Sequence, residues 1–116
     1  MAILAELKCT VCKVGDLPLS RDEINTFLPQ IPEWQVNEQV KPIRLQRTYR
    51  FDDYRSALVF TQAVGELAEA EGHHPAILTE WGRVTVSWWT HKVNGLHEND
   101  FIMAAKTDQL YQAAIK

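Results

Sequence analysis

Two adjacent histidines, His73 and His74, stand between Gly72 and Pro75 in the stretch "EAEGHHPA". Imidazole gains and loses a proton most readily near neutral pH, so two neighbouring rings on one corner offer an acid and a base for proton transfer. The setting fits that use. Glycine ends a helix, the carbonyl end of the helix favours imidazolium, and proline drives His74 toward extended backbone, so the rings can point in different directions. A pair that only caps the helix is the plainer alternative. A metal site joining one of these rings to His91 lacks support, because no H-x-x-E or H-E-x-x-H spacing supplies further ligands; no metal is expected. His97 lies in a polar loop and is expected to be solvent-exposed.

Cys9 and Cys12 form one C-x-x-C in "KCTVCKVGD". Half of a zinc site, a redox pair, or two thiols in a mobile N-terminal arm all remain open, since no second C-x-x-C follows and no strand precedes it as in a thioredoxin-like motif.

The elements that must position the histidines can be read from capping and periodicity. Ser20 and Glu23 have capping-box spacing, Leu19 and Ile24 can staple, and Ile24, Phe27 and Leu28 share one face of a helix that Pro29 should end. Residues 34–36 read as a brief strand, 37–39 as a turn, and 40–51 as a second strand. On the second strand Ile43, Leu45, Tyr49 and Phe51 share a face that Arg47 interrupts, marking a bulge or an edge. The longest helix starts after Asp52 or Asp53 and stops at Gly72. Its stripe of Tyr54, Leu58, Thr61, Val64 and Ala68, widened by Phe60 and Leu67, predicts burial on two sides. Residues 76–81 and 83–91 then form a hairpin about Gly82, with Val84, Val86 and Trp88 facing one way and Thr85, Ser87, Trp89 and His91 the other. A loop with an Asn-Gly turn leads to a last helix capped by Asn99 or Asp100, with Met103, Ala104, Thr107, Leu110, Tyr111 and Ala114 on one face. The order α-β-β-α-β-β-α predicts an α+β domain, a four-stranded antiparallel sheet with helices packed on one face.

With 116 residues, 46% hydrophobic and 23% charged, the chain fits one globular domain, which self-association would help to stabilise. A formal charge of -3 argues against nucleic acid as a partner. Lys41, Arg44, Arg47 and Arg50 are the one basic cluster and read as a solvated strand face. No apolar run approaches the roughly 20 residues that span a bilayer, and the start "MAILAELKCT" lacks the pattern of a secretion signal, so a cytoplasmic protein without a membrane partner is the expectation.

The spacing Glu69-x3-His73-His74-Pro75-x5-Trp81-x9-His91-x8-Asp100 resembles the signature of the pterin-4a-carbinolamine dehydratases, also called 4a-hydroxytetrahydrobiopterin dehydratases. The likeness extends through "LPQIPEWQV", with its Trp34, and "GLHENDFIMAAKTDQL". It covers residues 18 to 114 and leaves an N-terminal arm, residues 1–17, outside the domain at 18–116. It implies a lyase that dehydrates a pterin carbinolamine to quinonoid dihydropterin without a cofactor, with His73, His74 and His91 as the catalytic set. Glu69 and Asp100 would orient rings or hold the pterin, with Pro75, Thr90 and Trp34 near it. Stacking of the pterin on Trp89 is a separate expectation, because many family members have a small residue there. The resemblance further implies a homodimer or homotetramer, with an aromatic amino-acid hydroxylase or an assembly client as partner. A non-catalytic role as Rubisco assembly factor or transcription coactivator is the alternative on the same fold.

Overall fold

The computed structural model describes residues 3–10 and 17–114. Cys12 lies outside the described residues. Ser20 caps helix α1 (Arg21–Phe27) through the expected capping box: its hydroxyl accepts from the Glu23 N–H, and the Glu23 carboxylate accepts from the Ser20 N–H. Pro29 does not end the helical path outright. It falls at the start of a 3-10 turn, Leu28–Gln30, where a missing N–H costs little.

Strand β1 is Gln35–Asn37 and β2 is Arg44–Arg50, both shorter or later than the alternation predicts. The intervening 38–43 contain bends, so Val40 and Ile43 do not join the ladder. The hairpin strands are β3 (Ala76–Glu80) and β4 (Arg83–Trp88), joined at Gly82 with φ 76. All neighbours are antiparallel in the order β1-β2-β4-β3, which makes β2 and β4 the interior strands. Leu45 and Tyr49 on β2 and Val84, Val86 and Trp88 on β4 are fully buried on one sheet face. Helices α2 (Tyr54–Glu71) and α3 (Glu98–Ala114) cover that face: the Tyr49 ring lies 4.8 Å from Phe60 on α2 and 4.7 Å from Tyr111 on α3. The architecture is therefore the α+β sandwich the element order implies.

Arg47 marks neither a bulge nor an edge. Its pairing with Val86 is regular and β2 is interior. The guanidinium is tolerated on the apolar face because Asp108 of α3 accepts from its Nη1 at 2.7 Å, while the Tyr49 ring lies 4.3 Å beneath it. Asp108 Oδ1 also accepts from Trp34 Nε1 at 2.9 Å and from the Tyr49 hydroxyl at 2.5 Å. Burial, reinforced by that carboxylate, pushes the Tyr49 phenol well above its usual range.

Helix α2 begins at Asp53, whose carboxylate accepts from the Ser56 N–H, and ends at Gly72 with φ 69. Its buried line is Ala57, Phe60, Val64 and Ala68; Phe60, not Tyr54 or Leu58, faces the core. Tyr54, Leu58 and Val59 are exposed, so within one chain the band is buried on one side only. The first two turns of α3 are buried nearly all round, from Asn99 to Ala105, because the chain's N-terminal segment covers the side away from the sheet. That segment packs through a 3-10 turn, Leu4–Glu6, with Leu4 inside the core. Among the described residues no helix is long and apolar enough to cross a membrane.

Asp108→Ala should lower stability by about 3 kcal/mol, because it strands Arg47, the Tyr49 hydroxyl and the Trp34 N–H together. Urea unfolding measures the loss; a change below about 0.5 kcal/mol, the usual range for a surface substitution, would contradict the placement of this cluster.

Candidate active site

The end of α2 sets the corner. Gly72 takes the left-handed backbone at little cost, and the N–H groups of both Gly72 and His73 donate to the Ala68 carbonyl, fixing where His73 starts. Its ring lies parallel to the Trp88 indole, with centroids 5.7 Å apart and planes 11° apart. Its Nε2 is 2.6 Å from Asp100 Oδ1. A carboxylate only accepts, so this bond places the His73 proton on Nε2 and leaves Nδ1 as the ring's other nitrogen.

Asp100 has no exposed side-chain surface, and a buried carboxylate is costly unless donors surround it. Its Oδ2 accepts from the Thr90 hydroxyl at 2.8 Å and from the His97 N–H at 2.9 Å. Three donors from three chain segments thus meet on one side chain. Asp100 is not the cap of α3, nor is Asn99. The cap is His97, whose Nδ1 accepts from the Asn99 N–H at 3.0 Å while Asp100 reaches back to the His97 N–H. This reciprocal pair has the form of a capping box, with histidine in the place of serine. His97 is accordingly half-buried, not the solvated loop residue its surroundings in the sequence predict.

His74 points elsewhere. It is 61% exposed, against 14% for His73, and its Nε2 lies 2.9 Å from Glu69 Oε1, one turn back on α2. His91 is exposed as well, but it does not lie on the strand. Strand β4 stops at Trp88, and Asn94, with φ 53, folds the chain back so that Thr90 and Gly95 exchange backbone hydrogen bonds. His91 opens the 3-10 turn His91–Val93 inside that loop. Strict alternation therefore fails after Trp88, and His91 comes beside Trp89 through the loop, with ring centroids 5.4 Å apart. One face of Trp89 is taken by Arg44, whose guanidinium carbon sits 3.9 Å from the ring centroid.

These groups line an open cleft of about 560 Å³, large enough for a bicyclic heterocycle. His73, His74, Trp89, Thr90 and His91 are all on its walls. Glu69 and Asp100 act from beside and behind through their histidines. Trp34 and Pro75 are not on the walls; Trp34 is held at the Asp108 cluster, and Trp81 projects from the hairpin turn, 72% exposed. Six wall residues lie outside the set expected from sequence: Cys9, Thr10, Glu71, Gly72, Lys92 and Asn99. The Cys9 N–H donates to Glu71, which also pairs with Lys106 at 3.0 Å, and these two contacts hold the Glu71 carboxyl below the usual carboxylate range. Among the described residues no three His, Cys, Asp or Glu side chains are arranged to hold a metal ion.

The fold and cleft define a small α+β protein with two histidine–carboxylate pairs at one open cleft. The chain belongs to the pterin 4 alpha carbinolamine dehydratase family, whose model matches residues 17–110. A protein of Microcystis aeruginosa, provisionally named a pterin-4-alpha-carbinolamine dehydratase, is 54% identical over 112 residues, covering 97% of each chain. One from Syntrophotalea carbinolica with the same provisional name is 55% identical over 112 residues, covering 97% of this chain and all of that protein. The crystal structure of a transcriptional coactivator/pterin dehydratase from Brucella melitensis superimposes with a TM-score of 0.73 at 30% identity, covering 80% of this chain and 97% of that one.

The cap assignment predicts that His97→Ala lowers stability by about 1 kcal/mol, whereas His97→Asn, a good capping residue, restores most of it. Chemical unfolding of both variants checks this; equal losses in the two would contradict it.

Proposed function

We propose that this chain is a hydro-lyase that converts 4a-hydroxytetrahydropterin, the pterin-4a-carbinolamine, to quinonoid dihydropterin and water. The reading is carried by one observation: a buried and an exposed histidine–carboxylate pair, adjacent in sequence, face one cleft. The reaction breaks the C4a–O bond, and the hydroxyl leaves as water after receiving a proton. A ring N–H gives up its proton, and the electron pair left on nitrogen forms the new C=N bond. One group must give a proton and another accept one, and imidazole serves for both near neutral pH.

In this reading His74 is the donor to the hydroxyl. Its exposure lets it regain a proton from water each turnover, and Glu69 holds its ring. His91 is the acceptor at the mouth of the cleft, and Trp89 stands beside it. His73 is fixed by Asp100, with Nδ1 available to a hydrogen-bonding group of the substrate. Thr90 acts through Asp100. A pterin stacked on Trp89 would meet the face that Arg44 leaves uncovered.

The physiological setting is part of the proposal: a cytoplasmic enzyme that recycles the pterin of an aromatic amino-acid hydroxylase, working as a homodimer or homotetramer. A second reading, a non-catalytic protein partner, draws on the exposed Tyr54, Leu58 and Val59 of α2 and on the coactivator name of the Brucella relative. Loss of enzymatically generated 4a-hydroxytetrahydropterin separates the two. His74→Ala and His91→Ala should each turn over about 10²-fold more slowly than wild type. Near-normal rates in both would sink the assignment, and a wild type no faster than the uncatalysed reaction would favour the partner reading.

A further inference from the structure

Residues 3–10 bring to the cleft a stretch of wall, Cys9 and Thr10, that the proposed chemistry leaves unused. Asn99 is 3% exposed, and its carboxamide meets this segment at both ends: Oδ1 accepts from the Thr10 N–H at 2.9 Å and Nδ2 donates to the Thr10 carbonyl at 2.7 Å. One side chain thereby supplies both hydrogen bonds that a neighbouring strand would make to Thr10. The Cys9 N–H is held as well, by Glu71 at 3.1 Å, and Leu4 anchors the segment in the core. Two residues at two helix ends, Glu71 and Asn99, therefore serve the segment and the site together. Glu71 precedes the histidine corner, and Asn99 precedes the carboxylate that holds His73. Cys9 and Thr10 are brought to the cleft that His73, His74 and His91 line.

We infer that residues 9 and 10 form a substrate-contacting wall of the cleft and that Asn99 is the positioning residue that clamps this wall against the pterin. The inference rests on the dehydratase reading for its ligand and goes beyond it in the residues it assigns. A wall that touches the substrate alike before and during reaction contributes uniform binding, so loosening it raises KM more than it lowers kcat. Thr10 itself offers the cleft a small hydroxyl-bearing side chain, because its backbone polar groups are already satisfied by Asn99.

Two measurements test this. In Asn99→Ala, KM for the carbinolamine should rise about tenfold, the size of a lost hydrogen-bonding clamp, with kcat falling much less. A fall confined to kcat would overturn the assignment. The second uses the intact clamp: in reduced Cys12→Ser protein, the rate at which iodoacetamide alkylates Cys9 is followed with and without saturating biopterin, whose binding is read independently by tryptophan fluorescence. Bound biopterin should slow alkylation severalfold. Unchanged alkylation with biopterin bound overturns the wall and leaves the dehydratase reading standing. Absence of biopterin binding overturns the dehydratase reading and this inference with it.

Discussion

A carboxylate with no exposed surface imposes the strictest demand in this molecule, and Asp100 is that group. Left unpaired it would cost several kcal/mol, while each hydrogen bond to a charged group returns about 1.5–3. Its three side-chain or backbone donors arrive from separate places: Thr90 from the loop after β4, His97 from the cap of α3, and His73 from the corner after α2. Satisfying the charge therefore fixes both ends of the β4–α3 connection against the corner after α2. The scaffold behind it is the reason they can meet, since β4 delivers Trp88 beneath the His73 ring and α2 ends at the same level in Gly72.

That constraint divides the labour between neighbouring histidines. His73 is stacked, bonded and mostly buried, so its geometry is preset before any ligand arrives, which is how a site avoids reorganising during reaction. His74, paired with Glu69 in solvent, is free to exchange protons with water. Farther along α3 the device recurs for stability: Asp108 gathers Arg47, Tyr49 and Trp34, and so ties β2 and the start of β1 to the helix. One helix thus carries a carboxylate beside the cleft near its start and another for the core past its middle.

Much of this was legible in the residues. The Ser20–Glu23 box, the Gly72 stop and the two-faced alternation of β4 are local signals, set by spacings of a few residues, and the four-stranded α+β order follows from them. The histidine spacing drew His73, His74, His91 and Asp100 into one proposal, and the fold does bring them together. What the sequence hid depends on contacts between distant segments. Arg47 reads as an irregularity until Asp108 is seen 61 residues away. His97 reads as a loop residue because its partner is a helix N–H whose start cannot be placed to the residue. His91 was expected on a sheet face, since alternation carries no warning that the Thr90–Gly95 closure ends the strand early. Thr10 meets Asn99 across 89 residues of sequence, beyond the reach of any local pattern.

Under the proposed function, Asp100 holds His73 in one tautomer and one pose for dehydration. Replacing it by Asn keeps the size and one acceptor but turns an amide N–H toward groups that all donate. Stopped-flow dehydration of 4a-hydroxytetrahydropterin by Asp100→Asn should be slower by about 10²-fold or more while the circular dichroism spectrum stays that of wild type. A rate within about twofold of wild type, a difference of less than about 0.5 kcal/mol in the barrier, would contradict it.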